Sequence, residues 1–510
     1  MTLNRSVGAM SLLLLSIGSI IGSGWLLGPF YAAKIAGPAS IIAWPLGGIL
    51  LMFVALSFAE LAAMFPVIGG TIQFLQASHG TFVSYTFAWI GWISSAAIAP
   101  IETLAMLQYA THYLPWLMHY QDGVYLLTQH GRWVGAGVLL LMCYINIIGV
   151  RSLARTNSIL TTWKILVPTL TVIILLTMHF NVKNFSTPQF FAADWPSIFM
   201  SLPNAGVIYA FLGFTTIIQL AGEAKRPQFS IPFAIIGALL LCIVLYTALE
   251  IAFIGAIPAT ALVHGWSMLN YVNDSAPFVG LVVAIGIAWY SGILYIDAFI
   301  SPFGAGLIYA GATARTGYAM GQNGYMFTWL CRMNKNNIPS RLVLFNFFFG
   351  LLFFLPFPSW QSMMSFLVSA SVLSYAVGPL ALLVLRKKNP DYPRPFRLPQ
   401  AKIISFIAFY VCNLILLWVG WTTIYKMLLM VLCGYVFLWF FRRVEKNTLP
   451  LAIKNIYWVL TYFIFIGITS YTATFGGGMG LVPFGYDFLL VLFMSAIIFI
   501  WAHLVGCQTV

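Results

Sequence analysis

Two glycine-rich stretches of apolar sequence supply backbone groups that suit the two charged ends of a zwitterion. One runs Ser16-Ile-Gly-Ser-Ile-Ile-Gly-Ser-Gly24, and the other runs Tyr209-Ala-Phe-Leu-Gly-Phe214. Each glycine costs a helix roughly 1 kcal/mol relative to alanine, which favours unwinding at these points. Unwinding frees N–H groups that suit a carboxylate and carbonyl groups that suit an ammonium group. The alternative is a close-packed helix contact, for which the spacing of Gly18 and Gly22 is also typical.

Lys164 is the one basic residue inside an apolar run. It lies ~12 Å along a helix from Asn157 at 1.5 Å per residue, a long reach for an amine that must extend to the membrane surface. Because burial disfavours the charged form of an amine, a lysine at this depth can release and take up a proton. Lys164 is therefore the first candidate for proton coupling.

Acidic residues in apolar runs are the next candidates, because a charge at membrane depth is costly and marks a functional site by default. Glu102 follows Pro100, and Asp297 lies in a later apolar run. Both are candidates for proton coupling beside Lys164, whereas Glu250 is expected to be peripheral. For each of these three carboxylates, the alternative is a structural pair with a neighbouring side chain.

Three more residues are candidates for gating a path through the protein. Glu60 lies near the end of an apolar run, where a carboxylate can hold an inner gate. Glu223 precedes Lys225 and Pro227, so an ion pair at a helix end explains it equally well. Trp25 follows the first glycine-rich stretch and can either cover a substrate or pack in the core.

The elements that position these residues must lie in lipid. Apolar and aromatic residues make up 61% of the 510 residues and charged residues only 7%, where ~25% charged is ordinary for a soluble domain. The formal net charge is +13. The basic residues lie between apolar runs, as in membrane proteins, which excludes nucleic acid as a partner. The expected surroundings are therefore the lipid bilayer.

The chain contains fourteen apolar intervals of the kind that span a membrane, for which ~20 residues are needed. Spans 1 to 14 have the approximate bounds 7–35, 39–65, 82–115, 133–150, 157–178, 198–221, 231–257, 277–310, 341–356, 360–385, 403–422, 427–442, 455–474 and 486–505. With the N-terminus inside, nineteen of the 24 Lys and Arg residues are cytoplasmic, four are outside and Lys164 is in a span. This bias predicts that both chain ends are cytoplasmic.

The two glycine-rich stretches lie near the middle of spans 1 and 6. Interrupted helices at corresponding positions of two halves are typical of a transporter site, and unwound backbone at this depth needs a ligand or water. Span 1 runs outward, so the amides of Ser23 and Gly24 are predicted to meet a carboxylate. Span 6 runs inward, so carbonyl groups near Ile20, Tyr209 and Ala210 are predicted to meet an ammonium group.

Several function classes lack their motifs in this sequence. It contains no GxxxxGK[ST] loop for ATP, no HExxH zinc motif and no GxSxG nucleophile elbow. The six cysteines are scattered without a CxxC pair, so neither a disulfide framework nor a metal site is expected. We therefore expect no enzymatic activity, no metal and no cofactor.

Motifs along the chain resemble those of amino acid permeases of the amino acid–polyamine–organocation superfamily. They are the Gly18–Gly24 stretch, Glu60-Leu-Ala-Ala-Met-Phe-Pro66, Asn146-Ile-Ile-Gly-Val150, Tyr209–Phe214 with Gly222-Glu-Ala-Lys-Arg-Pro227, and Ala312-Thr-Ala-Arg315 with Asn323-Gly324. Trp25 and the fourteen spans look most similar to the bacterial aspartate–proton symporter branch. One departure is Thr215, where many relatives carry glutamate, so that the role of this acid is in doubt here.

The resemblance implies an all-α integral membrane protein with the leucine-transporter fold. Residues 7–178 (spans 1–5) and 197–386 (spans 6–10) would form two inverted repeats, followed by accessory spans 11–14 over residues 403–505. In some relatives, a lysine at the position of Lys164 takes the place of a sodium ion. Phe211 and Phe214 are expected to cover the substrate. The expected substrate-binding residues are Ile20, Ile21, Gly22, Ser23, Gly24, Tyr209, Ala210, Phe211, Gly213 and Phe214.

The expected function is secondary active uptake of an amino acid together with protons, by a multi-pass protein of the plasma membrane, in bacteria the inner membrane. The resemblance suggests an acidic amino acid such as aspartate or glutamate, a preference that the residues alone do not reveal. One alternative is an amino acid/amine exchanger, which is expected to use Glu102 and Asp297. The other is a membrane-embedded amino acid sensor.

Overall fold

The computed structural model of the chain is built almost entirely from helices. It describes residues 7–66, 70–148, 153–186, 189–191, 193–219, 221–269, 275–336, 338–445 and 455–508. Of residues 153–158 and of Glu223 it describes the backbone alone. All structural statements below refer to these residues.

The described part of the chain contains eighteen α-helices, several short 3-10 helices and one β-hairpin. The helices are α1 (Ala9–Ile20), α2 (Gly24–Ala36), α3 (Ser40–Met64), α4 (Gly70–His79), α5 (Thr81–Ala110), α6 (Gln129–Ile148), α7 (Leu153–Met178), α8 (Trp195–Asn204), α9 (Thr215–Gln219), α10 (Pro227–Ala256), α11 (Pro277–Ala284), α12 (Ser291–Gln322), α13 (Ser340–Phe353), α14 (Trp360–Lys388), α15 (Ala401–Val419), α16 (Trp421–Val444), α17 (Ile456–Thr472) and α18 (Tyr486–Gln508). The antiparallel hairpin joins β1 (Met118–Gln121) to β2 (Val124–Leu127).

The helices confirm an all-α integral membrane protein. Ten helical stretches of the described residues are long and apolar enough to cross a membrane, and α8 with the bent continuation Tyr209–Gln219 makes eleven. Three shorter apolar helices are α1, α13 and α17. Helices therefore lie in all fourteen predicted intervals, whereas the number of crossings and the side of each chain end stay predictions.

The structure differs from the predicted intervals in three places. The interval 277–310 contains two helices, α11 and α12, separated at Gly286, whose φ of +83° interrupts the helix. Helix α4 was not predicted, because its ten residues are too short and polar for a span. The hairpin was also not predicted, although its two-residue loop is Asp122-Gly123. Both residues have positive φ, as is typical of the turns that connect hairpin strands.

The interrupted span 1 lies at the centre of the bundle. Helix α1 packs against α7, α10, α12 and the segment Tyr209–Phe214. Around this centre, α3 packs along α10, and α5 packs along α12. The whole apolar window of α14 is buried, whereas most of α6 and α18 faces outward. The candidate residues on spans 1, 3, 5, 6 and 8 therefore belong to helices that meet in the interior.

Glu60 joins α3 to α14 and to the loop that follows it, at the end of the bundle that is predicted to face the cytoplasm. Its buried carboxylate accepts two hydrogen bonds from Arg386, at 2.9 and 2.6 Å, and one from the Leu398 amide at 2.7 Å. Arg394 approaches the same carboxylate to 3.7 Å. The basic loop after α14 is thus bonded in part to α3.

Replacing Glu60 by Gln should destabilise the protein, because the half-buried Arg386 and Arg394 groups would lose their counter-charge. Breaking a buried pair costs roughly 3–5 kcal/mol, and we expect about 3 because the Arg386 side chain keeps 22% of its exposure. A lower melting temperature in detergent is the measurement. Glu445→Gln, on an exposed contact with Thr328, is the control, and equal melting of the two variants would contradict this role.

Candidate functional site

Span 1 is unwound for three residues between α1 and α2. Helix α1 ends at Ile20, Ile21 is extended with φ −80° and ψ 98°, and α2 begins at Gly24. The Ser23 carbonyl accepts a hydrogen bond from the Leu26 amide. Ser23 therefore caps the N-terminus of α2, while its own N–H group bonds outside that helix.

Side chains from two neighbouring helices bind the carbonyl groups at the end of α1. Lys164 of α7 donates from Nζ to the Gly18 carbonyl at 2.7 Å. The Tyr246 hydroxyl of α10 donates to the Ile20 carbonyl at 3.3 Å. An ammonium group at this end of a helix is also stabilised by the helix dipole.

Lys164 lies at the junction of three helices. Besides its bond to α1, it lies against α12, where a Cβ added to Gly304 would be 3.1 Å from Nζ. It is fully buried, and the carboxylates of Glu102 and Asp297 both lie close enough to stabilise its charge. The structure therefore brings together the three residues that the sequence nominates for proton coupling.

The Glu102 carboxylate lies at the N-terminus of α2. Its Oε2 accepts a hydrogen bond from the Ser23 amide at 2.8 Å, and its Oε1 accepts one from the Tyr209 hydroxyl at 2.6 Å. Gly22 provides the space, because a Cβ at this position would overlap Oε1. Glu102 thus links α5 to both interrupted spans, and it occupies the amide that the sequence assigns to a substrate carboxylate.

Asp297 is buried in α12 with only one of its oxygens bonded among the described residues. Oδ1 accepts a hydrogen bond from Ser301 at 2.7 Å, and Oδ2 has no partner in that set. The indole N–H groups of Trp25 and Trp163 lie nearby without hydrogen-bond geometry. Trp25, a predicted gate, is fully buried with its ring 5.3 Å from that of Phe278.

Span 6 unwinds earlier along the chain than the sequence indicates. Helix α8 ends at Asn204, and the predicted stretch Tyr209–Phe214 is a 3-10 helix that leads into α9. Gly206 lies in the unwound segment with φ +93°, and a Cβ there would be 2.6 Å from the Trp360 ring. Both the backbone conformation and the close ring therefore require glycine at this position.

The two interrupted spans touch each other through glycine. A Cβ on Gly213 would overlap the backbone of Ser19 and Ile20, and a Cβ on Gly24 would lie 2.9 Å from the Cβ of Ala210. The Ser19 hydroxyl also donates to the Gly213 carbonyl at 2.9 Å. Most of the predicted substrate-binding residues, from Ile20 to Gly24 and from Tyr209 to Gly213, therefore surround one crossing point.

The two phenylalanines that the sequence nominates as a cover pack against neighbouring helices. Phe211 is fully buried, with ring centroids 6.3 Å from Trp44 and 5.4 Å from Tyr246. Phe214 lies 5.5 Å from Tyr375. The structure places both rings in the walls beside the crossing point, and a covering role for them stays a prediction.

Trp360, at the start of α14, is an aromatic residue that sequence reasoning missed. Its indole N–H donates to the Ser23 hydroxyl at 3.0 Å, and its ring stacks on Tyr31 at 5.7 Å and meets the edge of Tyr209 at 5.9 Å. It is buried and also fills the space above Gly206. In the sequence, it cannot be told from the tryptophans that are expected at a membrane surface.

A cavity with many hydroxyl groups lies beside α9, on the side away from Trp360. It is lined by α3, α4, α5, α9, α12 and α14, and its polar lining residues are Thr71, Ser94, Ser95, Thr215, Gln219, Thr316, Ser374 and Tyr375. The Thr215 hydroxyl lies 3.2 Å from the Tyr375 hydroxyl. This position therefore carries a neutral hydroxyl pair.

The remaining candidates lie away from the crossing point. Glu60 forms the contacts described above, and Glu250 of α10 is buried and accepts a hydrogen bond from Ser40 of α3. The side chain of Glu223, the third predicted gate, lies outside the described residues. Within the described ranges, no group of three or more His, Cys, Asp or Glu residues is placed to hold a metal ion.

Comparison with known proteins identifies the family of the chain. The family model described as amino acid permease matches residues 7–441. The glutamate/serine transporter AimA of Bacillus subtilis (strain 168) is 34% identical over 99% of this chain and 95% of its own length. The aspartate-proton symporter of the same strain is 33% identical over 98% of this chain and 96% of its own.

A more distant relative extends the similarity to mammals. The b(0,+)-type amino acid transporter 1 of Mus musculus is 24% identical over 86% of this chain and 88% of its own length. The relatives and the family are transporters and not enzymes, and the many apolar helices fit a multi-pass protein of the plasma membrane. The chain therefore belongs to the amino acid permease family and is an amino acid transporter.

Proposed function

We propose that the chain takes up an acidic amino acid, aspartate or glutamate, together with protons. The observation that carries the proposal is the position of Lys164, whose amine bonds the Gly18 carbonyl at the interruption of span 1 and lies near two carboxylates. The Lys164 amine, which can gain or lose a proton, is thus hydrogen-bonded to α1, the helix that would form part of the substrate site.

The substrate would lie at the crossing point of the two interrupted spans. Its α-carboxylate would meet the amides of Ser23 and Gly24, and its ammonium group would meet carbonyl groups near Ile20, Tyr209 and Ala210. Two relatives support an acidic substrate, since one is a glutamate/serine transporter and the other an aspartate-proton symporter.

The cluster of Lys164, Glu102 and Asp297 would carry the proton. With all three groups charged, the buried cluster would carry a net charge of −1, and uptake of one proton would balance it. Because Lys164 contacts α1 and α12 from α7, a change in its charge would favour one arrangement of these helices over another. Such a two-state element biased by a proton is the minimum that coupling requires.

Purified protein in liposomes tests this function. We expect labelled aspartate or glutamate to accumulate when the lumen is made alkaline. Inhibition of this uptake by unlabelled serine is measured in the same assay. Exchange of internal for external amino acid that is independent of the proton gradient would favour the exchanger instead. Binding without any transport would favour a sensor.

Replacing Gly24 by Val should abolish substrate binding, because the new side chain would collide with Ala210, whose Cβ would lie 2.9 Å from the added Cβ. Binding of labelled glutamate in detergent is the measurement, after size-exclusion chromatography has shown a folded protein. Gly137→Val is the matched control, since a Cβ on Gly137 meets nothing within 4 Å. Normal binding by Gly24→Val would place the site elsewhere.

Replacing Lys164 by Gln should abolish accumulation against a gradient while leaving some counterflow exchange. Glutamine keeps a hydrogen-bond donor near Gly18 but removes the charge, and exchange requires no net proton movement. Uptake with and without a proton gradient, compared with counterflow, separates the two. Lys183→Gln, an exposed lysine, is the control. Gradient-driven accumulation with normal pH dependence in Lys164→Gln would exclude Lys164 from coupling.

A further inference from the structure

We propose that the Glu102 carboxylate is a built-in competitor of the substrate carboxylate. This inference rests on the proposed function, because it assumes that the substrate's α-carboxylate binds the amide of Ser23. In the structure, that amide already donates to Glu102 Oε2 at 2.8 Å. An amino acid can therefore take the amide only if Glu102 releases it.

The contacts of Glu102 are those expected for a bound carboxylate. One oxygen faces an amide at the N-terminus of α2, where N–H groups and the helix dipole favour a negative charge. The other oxygen accepts a hydrogen bond from the Tyr209 hydroxyl of span 6. The side chain of Glu102 thus bridges the two interrupted spans, as the substrate itself is proposed to do.

The space at Gly22 shows how tightly this carboxylate is seated. A single methyl group on Gly22 would overlap Glu102 Oε1, and Glu102 is only 2% exposed. A second carboxylate cannot share the Ser23 amide with Glu102 at this distance. Occupancy by Glu102 and occupancy by the substrate carboxylate are therefore mutually exclusive.

Among the described residues, charged and titratable groups from several helices surround Glu102. Lys164 of α7 stabilises the carboxylate, and Lys164 is itself also stabilised by Asp297 of α12. The remaining titratable neighbours are three phenols, Tyr209 of span 6, Tyr246 of α10 and Tyr309 of α12. When Glu102 is neutral, Asp297 remains as the counter-charge of Lys164.

Protonation of Glu102 and binding of the substrate carboxylate would then favour each other. A neutral carboxyl group is a weaker acceptor than a carboxylate, so it releases the Ser23 amide more easily. By linkage, a bound substrate must equally favour the proton on Glu102. Substrate and proton would therefore bind together and leave together. Symport requires this positive coupling between the two, whereas exchange of substrate for a proton requires the opposite.

Glutamate binding to the Glu102→Gln variant tests the inference. Glutamine mimics the neutral form, so the variant should bind L-glutamate at pH 8 roughly 10-fold more tightly than the original protein, the factor for weakening one hydrogen bond to a charged group. Between pH 8 and pH 5.5, the affinity of the original protein should rise, and that of Glu102→Gln should rise much less, because only Lys164 and Asp297 of the proposed proton-carrying cluster remain. Glu102→Asp should also bind more tightly at pH 8, because the shorter side chain withdraws from the amide.

Glu250→Gln is the matched control, because Glu250 is an equally buried carboxylate that bonds Ser40 and not the crossing point. This variant should keep the original affinity and pH dependence, and melting curves should show that all variants are folded. Weaker binding in Glu102→Gln at every pH, or unchanged pH dependence, would overturn the inference. Failure of the original protein to bind glutamate or aspartate at any pH would instead overturn the proposed substrate.

Discussion

An interrupted helix in a membrane must find partners for the backbone groups that the interruption frees, and this constraint shapes the centre of the protein. The structure meets it at span 1 with side chains from three other helices. Lys164 and Tyr246 bond the carbonyl groups of α1, and Glu102 bonds the first amide of α2. Lys164 and Glu102 are thus partners that the unwound backbone requires.

The same constraint explains why glycine and tryptophan meet at the interruptions. Backbone can approach backbone closely only where no Cβ intervenes, as at Gly213 against Ile20 and at Gly24 against Ala210. Where the unwound segment of span 6 leaves space at Gly206, the Trp360 ring fills it and bonds Ser23. Close packing thus fixes the two interruptions against each other. A few side chains form the hydrogen bonds of their free polar groups.

The sequence predicted the helices well because apolar length and glycine content are local properties. The interruption of span 1 and the depth of Lys164 could both be read from neighbouring residues. The partner of the Ser23 amide could not, since Glu102 lies 79 positions along the chain and only the packing of α5 reveals it. Trp360 and the displaced interruption of span 6 were missed for the same reason, because side-chain contacts between distant helices decide them.

A site whose polar groups are already bonded to one another changes what substrate affinity measures. Binding exchanges internal hydrogen bonds for bonds to the ligand, so the free energy of binding is the difference between two similar sets. A ligand carboxylate that displaces Glu102 gains a hydrogen bond from the Ser23 amide, but a charged Glu102 loses the same bond. The net gain in free energy is therefore small while Glu102 stays charged. Under the proposed competition, the affinity would depend on the charge of a residue that need not touch the ligand, and a difference in pH across a membrane would become a difference in affinity between its two sides.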